Sequence, residues 1–225
     1  MSERSSIFDM IGPIMIGPSS SHTAGVVRIG RVARRVLGTS PQKAQVTFYN
    51  SFAHTYEGHG SDRAVVAGLL DMKTDDARIR EAFVHAEKAK LAYEFRAIAN
   101  DSTQHPNSVR IKMSAGDRQV EVLGISRGGG LIAIRELDKF ACNFSAQAKT
   151  IIFTAQDKPG SIAFITDVIS QDECNIATMT VDRKGKHDIA KLVLEMDSRL
   201  RPITLDYLSQ LPWVKEVCYI PDIDL

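Results

Sequence analysis

Residues Ser19, Ser20, Ser21, His22 and Thr23 place four hydroxyls and an imidazole directly before a helical pattern. One serine is enough to cap a helix N-terminus. The surplus donors, at the positive end of a helix dipole, suit an anionic group. A second cluster, "YNSFAHTYEGHGSDRA", holds Asn50, Ser51, His54, Thr55, Tyr56, Glu57, His59, Ser61 and Asp62 within thirteen positions. Gly58 and Gly60 flank His59, so the backbone is expected to turn sharply there and leave the ring accessible. Imidazole titrates near neutrality, and an accessible one in a polar pocket can take a proton from a weakly acidic carbon. His59 is therefore the candidate general base. His54 reads as a packed or hydrogen-bonded loop residue, His85 and His187 as solvated, and His105, in "QHPNS", sits at the mouth of a strand.

The elements that must hold these groups follow from periodicity. After Ser21, Val26, Ile29, Ala33 and Val36 recur at helical spacing. Arg28, Arg31 and Arg35 fall opposite them and Gly38 supplies a stop, which predicts an amphipathic helix of about five turns. "AQVTFYNSF" reads as a strand and "SDRAVVAGLLDM" as a helix with a Ser/Asp cap, while "TDDARIREAFVHAEKAKLAYEFRAIA" reads as one long helix. "NSVRIKMSAGDRQVEVLGIS" alternates around a Gly-Asp turn as a β-hairpin, and "RGGG" separates it from the strand "LIAIREL". The result is an α+β domain over residues 1–140, with 141–149, inside the aperiodic "DKFACNFSAQAK", as a linker. Residues 150–225 then run strand, helix, strand, strand, helix, strand, the ferredoxin-like βαββαβ order. In the first turn of this module Pro159 fixes the backbone and Gly160 permits close approach. The helix amides that follow Asp157, Pro159 and Gly160 can receive a carboxylate or another anion.

Composition narrows the partners. With 28 basic and 27 acidic side chains in 225 residues, nothing in the charge favours nucleic acid or an anionic membrane surface. The 44% hydrophobic content supports real cores, and the expected partners are small molecules or other proteins. No run approaches the roughly 18 apolar residues of a membrane span. "MSERSSIFDM" lacks the apolar core of a signal peptide, so a soluble, cytoplasmic protein is expected. Cys142, Cys174 and Cys218 are far apart, with no spacing for zinc, an iron-sulfur cluster or a redox pair, and read as reduced structural thiols.

Three motifs, "GPSSSHTAG", "NSFAHTYEGHGSDRA" and "HPNSVRI", followed by the βαββαβ module, resemble the β subunit of bacterial iron-sulfur-dependent L-serine dehydratase. The resemblance implies a serine dehydratase β-type domain, related to an allosteric domain of some phosphoglycerate dehydrogenases. Residues 150–221 resemble an ACT domain, which implies an amino-acid effector near Asp157, Pro159 and Gly160, and dimerisation. Enzymes of this family convert L-serine to pyruvate and ammonia. A 4Fe-4S cluster held by cysteines of the α subunit acts as a Lewis acid on the leaving hydroxyl, a base removes the α-proton, and the resulting aminoacrylate becomes an imine that hydrolyses. By motif match, His59 is the base. Ser19, Ser20, Ser21, His22, Thr23, Asn50, Thr55 and His105 bind or orient serine at an interface with the α subunit, and this chain supplies no metal ligand. Ser61 stands where threonine is expected, a similar hydroxyl. The rival reading is a serine-sensing or anion-sensing regulatory subunit with no catalytic residue of its own.

Overall fold

The apolar repeat after the serine cluster forms helix α1 (Gly25–Leu37), ended by Gly38 in the left-handed region at φ 77°. The computed structural model describes residues 12–223. The "MSERSSIFDM" stretch read against a signal peptide, and the last two residues of the C-terminal module, lie outside the described residues. Ahead of α1, Ser20–Ala24 forms a π-helical turn, a local widening common at functional segments. The expected basic outer face is corrected by the structure: Arg28 is wholly buried and Arg31 nearly so. The reason is that α1 has neighbours on two sides, a sheet and a second helix. Arg28 Nη1 donates to the Gly130 carbonyl at 2.8 Å, which helps offset the burial of its charge.

The chain divides into two units, residues up to Lys139 and residues from Phe140. In the first, α1 is followed by β1 (Lys43–Tyr49), α2 (Ser51–Thr55) and α3 (Ser61–Leu69). A 3-10 turn (Ala77–Glu81) leads into α4 (Ala82–Lys88) and β2 (Ala92–Ile98). Three further strands complete the sequence of elements: β3 (Ser108–Ala115), β4 (Arg118–Gly128) and β5 (Leu131–Leu137). These strands lie in the order β2-β1-β3-β4-β5. β2 runs parallel to β1, so the helices between them form a crossover, and the other pairings are antiparallel. The hairpin read from sequence forms, with Ile111 opposite Val122 and Gly116 turning at φ 56°.

Glycines set the spacing around α1. A Cβ on Gly124 of β4 would come within 2.6 Å of the Ile29 side chain. A Cβ on Gly68 of α3 would meet α1 backbone, 2.9 Å from Gly30 Cα and 3.0 Å from the Arg31 nitrogen. Ile29, Val26 and Val32 are fully buried in this arrangement, each such side chain contributing roughly 1.5–3 kcal/mol.

The long helix expected after Thr74 is two different elements. The chain leaves α4 at Lys88, Lys90 takes φ 56°, and "AYEFRAI" pairs with β1 as β2. Tyr93 and Phe95 are β-formers whose rings sit 5.4 Å apart, with Phe83 stacked 5.4 Å from Tyr93. Pairing with β1 and aromatic packing outweigh continuation of the helix into "AYEFRAI".

In the second unit, the stretch read as a linker contains a strand, β6 (Phe140–Phe144), whose alternate residues Phe140, Cys142 and Phe144 are buried. Next come β7 (Lys149–Gln156), α5 (Ser161–Gln171), β8 (Ile176–Arg183), β9 (Ile189–Met196), α6 (Pro202–Ser209) and β10 (Val214–Ile220). Their antiparallel sheet has the order β10-β7-β9-β8. Its core gathers Ile151, Phe153, Ile165, Ile169, Leu192, Leu194 and Leu208. No described helix is long and apolar enough to cross a membrane.

Candidate functional site

The serine cluster and the His59 loop meet at the start of two packed helices. Ser19 is the serine that caps: its Oγ accepts the His22 backbone N–H at 3.2 Å and lies 3.3 Å from His22 Nδ1. One residue on, Thr23 Oγ1 donates to the His59 carbonyl at 3.3 Å, joining the two clusters across 36 positions of sequence. His59 follows α2, where its backbone N–H and its Nδ1 both approach the Thr55 carbonyl, at 3.0 and 3.4 Å. Gly60, at φ 69°, then opens α3. Of the two glycines around His59 only Gly60 needs that freedom, since Gly58 has an ordinary φ. The His22 and His59 rings come to lie with centroids 4.7 Å apart at 33°, and Phe52 stands edge-on to His22 at 4.8 Å.

The proton positions follow from the partners. A carbonyl only accepts, so His59 Nδ1 donates to Thr55, and the neutral ring keeps its lone pair on Nε2. Burial, and then the charge of His59, hold the His22 pKa below the usual imidazole value, which favours a neutral ring there. His22 Nε2 is buried with no hydrogen-bond partner among the described residues, and so are the hydroxyls of Ser61 and Ser126. Ser61 was expected to cap α3. Gly60 occupies the cap position instead, with no side-chain hydrogen bond.

The remaining candidates serve in different ways. Ser20 lies against Gly12, where a Cβ would meet its Cβ at 3.0 Å, and Ser21 Oγ faces Gly128. Asn50 was read as a donor for a ligand, but its amide is engaged with the chain: Nδ2 donates to the carbonyls of Asp101 and Gln104, both at 2.9 Å, and Oδ1 accepts from the Asp101 N–H at 2.7 Å. At φ 50° and ψ −115° it also turns the chain between β1 and α2. Thr55 Oγ1 donates back to the Ser51 carbonyl at 2.8 Å, so this residue reaches His59 through its carbonyl. His54 is exposed.

His105 is exposed on the loop that Asn50 braces, and its Nδ1 accepts the Asn107 N–H at 3.1 Å. Partial burial, then the positive charges of Arg135 and Arg127, lower its pKa. The loop is tied to the site by its backbone: the Phe52 N–H donates to Pro106 at 3.4 Å and the Ser126 N–H to Asn107 at 3.0 Å. Sequence reading missed Phe52 and Ser126. The three glycines after Ser126 were a signal of close backbone approach.

Asp157, Pro159 and Gly160 belong to the second unit, at the turn between β7 and α5. Gly160 opens α5 at φ 82°. The Asp157 carboxylate accepts from Arg183 Nη1 at 2.8 Å and from the His187 N–H at 3.2 Å, which hold its pKa low. The turn borders a cavity of about 590 Å³ with Lys158, Arg183, His187 and Trp213 in its lining. The three cysteines also lie in this unit, on β6, before β8 and on β10, and Cys174 Sγ donates to the Ser198 carbonyl at 3.2 Å. No group of side chains among the described residues could hold a metal ion, so these residues do not fit an iron-sulfur cluster.

The chain is similar in sequence to known proteins. A family model described as serine dehydratase beta chain matches residues 6–136. A probable L-serine dehydratase, beta chain, from Bacillus subtilis is 44% identical over 217 residues, covering 96% of this chain and 98% of that one. The L-serine dehydratase beta chain of Peptoniphilus asaccharolyticus is 36% identical over 196 residues, with 87% and 88% covered. A D-3-phosphoglycerate dehydrogenase from Archaeoglobus fulgidus is 23% identical over 197 residues, 86% of this chain and 37% of that one.

Proposed function

Because this chain belongs to the serine dehydratase beta chain family, we propose that it is one subunit of an enzyme converting L-serine to pyruvate and ammonia, and that it supplies the general base. The observation that carries the proposal is the His22–His59 pair. Two imidazoles lie 4.7 Å apart at adjacent helix starts, with the Thr55 carbonyl holding His59 so that Nε2 is the proton acceptor. In this reading His59 Nε2 removes the α-proton of serine. The donors of the Ser19–Thr23 turn hold the substrate carboxylate against the positive end of α1. Asn50 shapes the loop that carries His105 to the rim of the same site.

The described residues do not fit the 4Fe-4S cluster that the family resemblance implies. The cluster is therefore assigned to an α subunit, and the chain alone should be inactive. The second unit, with its βαββαβ order, is the ACT module, and the cavity beside Asp157, Pro159 and Gly160 is where an amino-acid effector would bind and where pairing with a second copy would be sensed.

The deciding experiment is anaerobic co-expression with the α subunit, comparing wild type with His59→Gln for assembly, iron content and pyruvate formation. Loss of a general base should lower turnover by roughly 10²–10⁴-fold with assembly and iron unchanged. A near-normal maximal rate with altered serine cooperativity would sink the catalytic reading and favour a serine-sensing subunit.

A further inference from the structure

We propose that Ser19 is a positioning residue that sets the tautomer of His22, holding it neutral with its proton on Nε2. Two adjacent imidazoles would then carry opposite roles, a lone pair on His59 Nε2 and an N–H donor on His22 Nε2.

Ser19 Oγ already accepts the His22 backbone N–H at 3.2 Å. Its own proton needs an acceptor, and His22 Nδ1 stands 3.3 Å away. A hydroxyl that donates to Nδ1 fixes that nitrogen as the acceptor of the ring, so the neutral imidazole carries its proton on Nε2. In the opposite tautomer the serine oxygen would accept both N–H groups, and its hydroxyl proton would lose the Nδ1 acceptor beside it. His59 is set the other way, because its Nδ1 faces a carbonyl, which can only accept. Burial already favours a neutral His22, and a proton taken up by His59 would favour it further.

His22 Nε2 is thereby a buried N–H with no partner among the described residues. A buried, unmatched donor costs about 1–3 kcal/mol, and an acceptor oxygen brought by a ligand would recover it. That acceptor is assigned as the carboxylate of L-serine, an identification that rests on the proposed function, whereas the tautomer itself does not. A neutral N–H suits the position better than a cation. It binds an oxygen without placing a second positive charge 4.7 Å from the ring that must accept a proton.

Ring-nitrogen NMR of the uniformly ¹⁵N-labelled full chain at pH 8, with the His22 signals assigned by difference from His22→Gln, reads the tautomer directly. The expected wild-type pattern is Nε2–H, retained in Ser19→Thr. Ser19→Asp separates capping from tautomer control, since aspartate is an equally good cap but its carboxylate can only accept. It should convert His22 to the Nδ1–H form. In the assembled enzyme, Ser19→Asp should raise KM by roughly tenfold to a hundredfold.

A wild-type Nδ1–H signature overturns the inference whether or not any variant folds. So does a Ser19→Asp spectrum unchanged from wild type. Tautomers that respond as expected while KM stays flat would uphold control by Ser19 and overturn the assignment of His22 to serine binding.

Discussion

Gly68→Ala tests how the fold brings the two histidines together. The π turn carrying His22 runs into α1, and His59 stands just before α3, so the separation of these helices governs the separation of the rings. A Cβ on Gly68 would press on the Val27 carbonyl oxygen and lie 2.9 Å from Gly30 Cα and 3.0 Å from the Arg31 nitrogen. All three are backbone atoms, and none can swing aside. Restoring ordinary contact requires the helices to part by about 1 Å. Overpacking of this kind costs about 1–3 kcal/mol, against which alanine regains at most about 1 kcal/mol of helix propensity. A displacement of about 1 Å at reacting groups can cost on the order of 100-fold in rate, so the loss of turnover should exceed what the stability change implies. Urea denaturation of the chain and serine turnover of the assembled enzyme measure the two effects. Gly58→Ala is the control: a Cβ there has the Thr55 oxygen at 3.9 Å as its nearest neighbour, and stability should stay within about 0.5 kcal/mol. Equal stability and turnover for Gly68→Ala and wild type would refute the account of helix spacing.

Asn50→Ala removes three hydrogen bonds to the 101–104 loop and leaves an unfavourable φ occupied by a residue less suited to it. A loss of roughly 2–3 kcal/mol and faster proteolytic cleavage near residues 99–107 are expected. Arg28→Met leaves the Gly130 carbonyl without its donor inside the core; a urea midpoint lowered by the equivalent of about 1–3 kcal/mol would fit, and an unchanged midpoint would not. The pKa values of His22 and His105 are lowered in the folded chain, so the unfolded chain binds protons more readily. Their contribution to stability is complete above the ordinary imidazole value, near 6.5, and is lost as pH falls below it toward the folded values. The urea midpoint should therefore drop between pH 7.5 and 5.5, and the drop should shrink in His22→Gln; identical slopes for the two proteins would count against a buried, neutral His22.

Sequence alone determined what depends on near neighbours in the chain. The apolar spacing of Val26, Ile29, Ala33 and Val36, the Gly38 stop, the Gly116 turn between β3 and β4, and the βαββαβ order are local signals, and each is present in the structure. The motifs likewise marked both clusters of the candidate site, because hydroxyls and imidazoles gathered at helix starts are visible without coordinates. Tertiary structure decided the rest. "AYEFRAI" is a strand because β1 offers it a parallel partner more than forty positions away, a pairing no local propensity contains. Arg28 is buried because α1 is covered on two sides, although its own sequence displays a polar stripe. Asn50 looked like a free donor until the 101–104 loop folded back to engage it. The pairing of His22 with His59 depends on two glycines letting α1 and α3 approach backbone to backbone. Residue types are local, but the distance between two imidazoles is set by how closely the helices behind them can pack.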